Sequence, residues 1–220
     1  LKNGAVASLK ESAVAAVLQL SAADPTTLGS ESLRWARGSL GASDWRLRES
    51  AALVLGSSVT PEAVLMLREM LNDSDPRVRR GSVCSLGRRT EESALLALQQ
   101  ALHDADLQVR LEALRSLGRL THYLVDSGAR DMLNRMSGWF TDTLRDGTPS
   151  EQILARTMLL QLGDTSQIEA LRRMQHAADA AVRRFLIEHG PPDLQLAQAL
   201  RLDPDASVRF AAARKLAESG

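Results

Sequence analysis

The sequence predicts an all-α fold, a solenoid of about six helix–turn–helix repeats. Three observations carry this expectation. Leu and Ala dominate while aromatics are only 3% of the chain, a composition of helices and not of sheets rich in aromatic and β-branched residues. One motif recurs without gaps at residues 44–56, 75–87 and 106–118. Its apolar positions fall on one helical face, so each copy is a one-sided helix that must pack on a neighbour. The 220 residues suffice for a sizeable core.

Each copy opens on Asp44, Asp75 or Asp106. An aspartate here is a good N-cap, because its carboxylate accepts N–H groups of the first turn. Pro76 suits the first helical position. Three residues after the Asp comes an aliphatic (Leu47, Val78, Val109), and these stand 31 residues apart. Arg48, Arg79 and Arg110 follow directly. The copies close on Leu55-Gly56, Leu86-Gly87 and Leu117-Gly118. Glycine is expected to supply the left-handed residue that stops the helix after about three turns.

Weaker copies follow. Leu154 to Gly163 keeps the aliphatic frame but has Ala155 in place of Arg, and Glu151 stands where the others carry Asp. Val182-Arg183 follows Asp179, and Val208-Arg209 follows Asp205. A degenerate copy opens the chain at Leu9-Lys10. Second amphipathic segments are expected at 61–71, 91–102, 129–144, 165–174 and 193–202, with Thr60 and Thr90 as starts. Val109 to Leu154 spans 45 residues, which predicts either a longer outer helix or an added loop. The organisation expected is therefore one array over residues 1–220. Regular repeats cover 42–120, a stretched joint 120–148, and divergent repeats 149–218.

The stretches DSDPRVRRGSVCSLGR and DADLQVRLEALRSLGRL resemble the short HEAT-like repeats of phycobilin lyase-type proteins. The resemblance implies a right-handed α-solenoid with the Val-Arg helices lining the concave face. It also implies that the repeated pairs Asp44/Arg48, Asp75/Arg79, Asp106/Arg110, Asp179/Arg183 and Asp205/Arg209 tie neighbouring repeats into a structural ladder. The same arginines read alternatively as a phosphate-binding row.

Formal net charge is zero, which argues against a dedicated nucleic-acid binder. No apolar run approaches the roughly 20 residues that span a bilayer. The single cysteine, Cys84, permits no intrachain disulfide, and a reducing, cytoplasmic setting is expected. The chain opens on Leu1, as a processed or excised product would. His103, His122, His176 and His189 stand apart without metal-ligand spacing, no nucleophile or phosphate-loop motif occurs, and no cofactor is called for.

A binding module remains. Positions around the Val-Arg pair that point off the core include Arg46, Glu49, Arg77, Arg80, Gly81, Leu111, Arg115, Ile153, Arg156, Thr157, Arg184 and Phe210, with Trp45 beside them. Arginine among apolar and aromatic neighbours is the composition of interface hot spots. The function expected is non-catalytic capture of an acidic or amphipathic protein segment by Trp45, Arg46, Arg77, Arg80, Arg115, Arg156, Arg184 and Phe210. The alternative is an enzyme or enzyme partner, such as a bilin lyase-like subunit or an alkyl-base DNA glycosylase.

Overall fold

Twelve α-helices and no strand are found among residues 27–218, the residues that the computed structural model describes. The copy expected at Leu9-Lys10 lies outside them. The motif helices are α2 (Trp45–Ser57), α4 (Pro76–Leu86), α6 (Leu107–Asp126), α8 (Pro149–Gln161), α10 (Ala180–His189) and α12 (Ala206–Glu218). Alternating with them are α1 (Thr27–Ser39), α3 (Pro61–Glu69), α5 (Glu92–Ala101), α7 (Arg130–Asp146), α9 (Gln167–Arg173) and α11 (Leu194–Leu200). Short 3₁₀ turns, Met70–Asn72 and Met174–His176, extend α3 and α9. The chain forms two compact units, Leu1–Leu120 and Thr121–Gly220, whose boundary falls inside α6.

In the first unit α2 packs on α1, α3 and α4, and α5 packs on α3 and α4. Asp44 and Asp75 cap as expected, accepting the N–H of Arg46 at 3.0 Å and of Arg77 at 2.9 Å. Asp106 accepts from Gln108 and Val109. Thr60 caps α3 ahead of Pro61. Leu55, Leu67, Val78, Leu86, Leu98 and Val109 are fully buried.

The closing glycines of these helices are not left-handed stops, although Gly87 stands at the C-terminus of α4. Gly56 lies inside α2 and Gly118 inside α6, while Gly87 has φ −65°. Close approach explains them. A Cβ on Gly56 would sit 2.7 Å from Ser85 Oγ, and one on Gly87 2.5 Å from Ser116 Oγ. Each of those serines donates across the helix interface, Ser85 to the Ala52 carbonyl at 2.8 Å and Ser116 to the Val83 carbonyl at 3.4 Å. The glycine lets the next repeat come near enough for that bond to form.

The stretched joint is helical. α6 continues through Gly118 to 20 residues and α7 runs for 17. Only a tight turn separates them, with Gly128 at φ 71°. No added loop is present there.

In the second unit α8 packs on α7, α9 and α10, and α12 packs on α10 and α11. The core joins Ile153, Leu171, Leu186, Ile187, Leu196, Leu200 and Val208. Asp179 and Asp205 cap α10 and α12 through the N–H groups of Ala181 and Ser207. Glu151 differs from the expected acidic cap. The helix starts earlier, at Pro149, so Thr148 is the cap and Glu151 bonds back to it in a capping box. No described helix is long and apolar enough to cross a membrane.

Candidate partner-binding surface

Three motif arginines grip a carboxylate from the turn that follows. Arg48 donates from Nε and Nη2 to Asp73 at 2.6 and 2.9 Å. Arg79 does the same to Asp104, at 2.8 Å for both bonds, and Arg183 to Asp203 at 2.6 and 2.9 Å. Such side-on pairs are charge-assisted and geometrically specific. The remaining Nη1 of each arginine bonds two carbonyls of the turn before its own helix, as in Arg79 to Asp73 O and Ser74 O. Arg110 and Arg209 make the same carbonyl bonds, to Asp104 and Ala105 and to Asp203 and Pro204.

The aspartates in these pairs are not the motif aspartates named from sequence. Asp44, Asp75, Asp106, Asp179 and Asp205 cap their own helices, and the motif arginine reaches instead the acid two residues ahead of the next cap. The letters carry a signal for this, an Asp-x-Asp at 73–75, 104–106 and 203–205. The first Asp of each takes the arginine and also accepts the N–H of the second, at 2.8–2.9 Å. The Arg48 hydrogen bonds hold the Asp73 carboxyl below its ordinary range, and Arg183 does so for Asp203. Burial opposes ionisation of Asp104, yet the Arg79 bonds and the Asp106 N–H outweigh it, again to a lowered pKa. Arginines so engaged are not free to form a phosphate-binding row.

A different set of side chains faces outward on α2 and α4. Two guanidinium groups lie over the Trp45 ring, Arg77 at 3.6 Å and Arg46 at 4.6 Å from its centroid. Arg77 is held in place by Asp75, with Nε and Nη2 bonds of 2.9 and 2.7 Å. That pairing draws the Asp75 pKa down to about 2. One turn further, Arg80 is exposed and makes no hydrogen bond among the described residues. Glu49 lies beside it on α2, against the bare face of Gly81, whose Cβ would be 3.2 Å from Glu49 Cγ. Burial pushes the Glu49 pKa up, while the charges of Arg80 and Arg77 resist. On α6, Arg115 and Arg119 share Glu112 at 3.9 and 3.1 Å.

Four positions expected on this outward face are instead buried: Gly81, Leu111, Ile153 and Thr157. An interior helix of an array has a neighbour on each side, so its exposed strip is narrower than that of a helix with one apolar flank. The remaining expected residues, Arg156, Arg184 and Phe210, belong to the second unit. Arg156 donates to Gln167 Oε1 at 2.6 Å, Arg184 is exposed, and Phe210 is 70% exposed. Of the other tryptophans, Trp35 is half-buried and Trp139 has Arg135 at 5.8 Å. Among the described residues no group of acids, histidines and cysteine is arranged to hold a metal. Sequence reasoning did not find Asp73, Asp104 and Asp203, nor the serines 85 and 116.

Residues 33–118 match the family model for HEAT repeats. The solved structure of the E. coli protein YibA is similar over 89% of this chain and 75% of its own, at 17% identity and a TM-score of 0.54. At that identity the likeness is one of fold. The complex of CpcE and CpcF of phycocyanin lyase from Nostoc sp. PCC7120 matches over 84% of this chain and 86% of its own (22% identity, TM-score 0.47). Human deoxyhypusine hydroxylase matches over 96% and 97% (17% identity, TM-score 0.41). No curated protein sequence matches the chain.

Proposed function

We propose that this chain of HEAT-like repeats is a non-catalytic binding module whose first unit captures an acidic protein segment on the outward strip of α2, α4 and the first turns of α6. The observation that carries this reading is the Asp75–Arg77–Trp45–Arg46 stack. Two guanidinium groups lie over one aromatic ring, and Arg77 is already fixed by two hydrogen bonds to Asp75. Ordering long side chains is a main cost of association, and here that cost is met before the partner arrives. Arg80, exposed and without a hydrogen bond among the described residues, is then the cation placed to take a carboxylate from the partner. The Trp45 ring supplies an apolar anchor next to it, the pairing that hot spots favour.

The mechanism is electrostatic selection followed by stacking. An acidic segment is drawn to Arg80 and to Arg46, which is paired with Asp44 only at 3.8 Å, and its apolar residues cover the exposed part of Trp45 and Leu53, which is 38% exposed. The Glu49 and Glu112 carboxylates beside this strip discourage strongly polyanionic ligands such as nucleic acid, in keeping with the zero net charge.

An array of 15-residue peptides graded from acidic to basic tests the reading. The unaltered chain should retain acidic, apolar-containing peptides. Charge reversal at Arg77, Arg80 and Arg115 together should abolish that retention, with helicity checked by circular dichroism. Retention unchanged by the triple reversal would falsify the proposal.

A further inference from the structure

Glu49 breaks the pattern of its motif position. Two residues after the motif aliphatic, the described copies read Glu49, Arg80, Leu111, Arg156, Arg184 and Phe210. Three are arginines and only Glu49 is an acid. On α2 it stands four residues after Trp45 and four before Leu53, so the three share one side of the helix. The acid therefore sits between the two apolar residues of the strip, and the bare face of Gly81 leaves it room, with Cγ 3.2 Å from where a Cβ would be. Glu49 is half-buried, and its carboxylate makes no hydrogen bond or ion pair among the described residues. A carboxylate drawn from water without a partner is costly to keep ionised.

The charges that act on it most are Arg80, Arg77 and Asp75 on α4 and Arg46 on its own helix. The other helices packed on α2 are α1 and α3. Their described charged side chains, Arg34, Arg37, Glu62, Arg68 and Glu69, are all exposed, and Arg37 is paired with Glu62. Burial raises the Glu49 pKa, and the arginines offset that only in part. Asp75 stays ionised, since its bonds with Arg77 hold it at about 2, and the arginines do not lose their protons. Within this cluster, Glu49 is the group whose charge changes in mild acid.

If the strip captures an acidic segment, as proposed above, its own acid opposes that capture. We infer that Glu49 is the gate of the strip: ionised, it competes with the partner's carboxylate for Arg77 and Arg80, and protonated, it yields them. The inference rests on that reading and adds its regulation. Capture then tightens as pH falls. By linkage, a bound anion also draws a proton onto Glu49, so binding takes up protons from the buffer.

The probe is a peptide with acetyl and amide ends, made of Leu, Ala and cysteic acid. Its sulfonates stay charged throughout, so only the protein titrates. Affinity for the unaltered chain is expected to rise about fivefold from about pH 7.5 to about pH 4.5, the scale of relieving one like-charge contact. Glu49→Gln should bind at the tighter level at both values. Calorimetry in buffers of different ionisation enthalpy should show proton uptake by the unaltered chain and none by Glu49→Gln. The comparison at neutral pH carries the test without exposure to acid. A Glu49→Gln chain that binds there no more tightly than the unaltered one, or that keeps the full pH dependence, overturns the gate while leaving the strip standing. Binding that survives charge reversal at Arg77, Arg80 and Arg115, or no binding by either chain, overturns the strip and the gate together.

Discussion

The Leu-Gly ending of the motif does different work in the two units. In the first, Gly56 and Gly87 sit in helical or near-helical backbone and are glycine because a serine of the next repeat occupies the space of a side chain. In the second, Gly163 has φ 96°, a Cβ there would meet nothing within 4 Å, and the residue ends α8. One letter at one motif position thus answers to a tertiary contact in one place and to backbone conformation in the other. The serine explains the split. Ser85 and Ser116 lie two residues ahead of the glycines of their own copies, and the corresponding residues of the second unit are Gln161, His189 and Lys215. These are too large to enter a neighbouring helix at that distance.

The arginine pairs behave in the opposite way, recurring in both units with one geometry. Removing a single partner there should have the largest effect. Arg79 and Asp104 have side chains only 14% and 11% exposed, and loss of one member strands the other. Asp104→Ala is expected to cost about 2–3 kcal/mol in urea unfolding. Arg79→Met with Asp104→Leu should recover most of it, because an apolar pair leaves no unpaired charge. A double variant no more stable than the single would mean that the pair contributes more than its own desolvation.

The glycine contrast can be broken next. Gly87→Ala should cost about 1–3 kcal/mol through overpacking against Ser116, and Ser116→Gly in the same chain should restore part of it. Gly163→Ala should cost about 1–2 kcal/mol through the left-handed backbone, and no neighbouring substitution should relieve it. Thermal denaturation of the two series decides the matter, and equal rescue in both would collapse the distinction.

Acid sharpens the comparison of carboxylates. Asp73, Asp104 and Asp203 have folded pKa values below their unfolded ones. Their contribution is complete above about pH 4, the unfolded value, and is lost as pH falls through the lowered folded values. The melting temperature should therefore drop below pH 4, and Asp104→Asn should flatten that drop. Glu49 has the reverse sign, since burial raises its folded pKa. Its ionisation weakens the fold as pH rises, so Glu49→Gln should be neutral or raise the melting temperature by a degree or two at pH 7, the smallest effect expected.

Much of this was legible in the letters. Asp44, Asp75, Asp179 and Asp205 cap where a local rule puts them, because the cap bonds join residues two or three apart. The alternate helices at 61–71 and 91–102 follow from apolar spacing. Asp73 was invisible as a partner of Arg48 because the two are 25 residues apart and meet only after α2 and α4 have stacked. Of the proposed binding strip, Trp45, Arg46, Arg77 and Arg80 follow from their helical phase. The stacking of Arg77 on Trp45 belongs to two different helices and has no local signature.

The sequence by itself determined the helices, the aspartate caps and the repeat, since each depends on bonds and spacings within one turn or one face. Only the tertiary structure decided which aspartate each arginine grips, which glycines make room and which one turns the chain, and which motif positions stay exposed. Those outcomes depend on the distance between helices that are remote in the chain, and that distance is set by packing on both flanks at once.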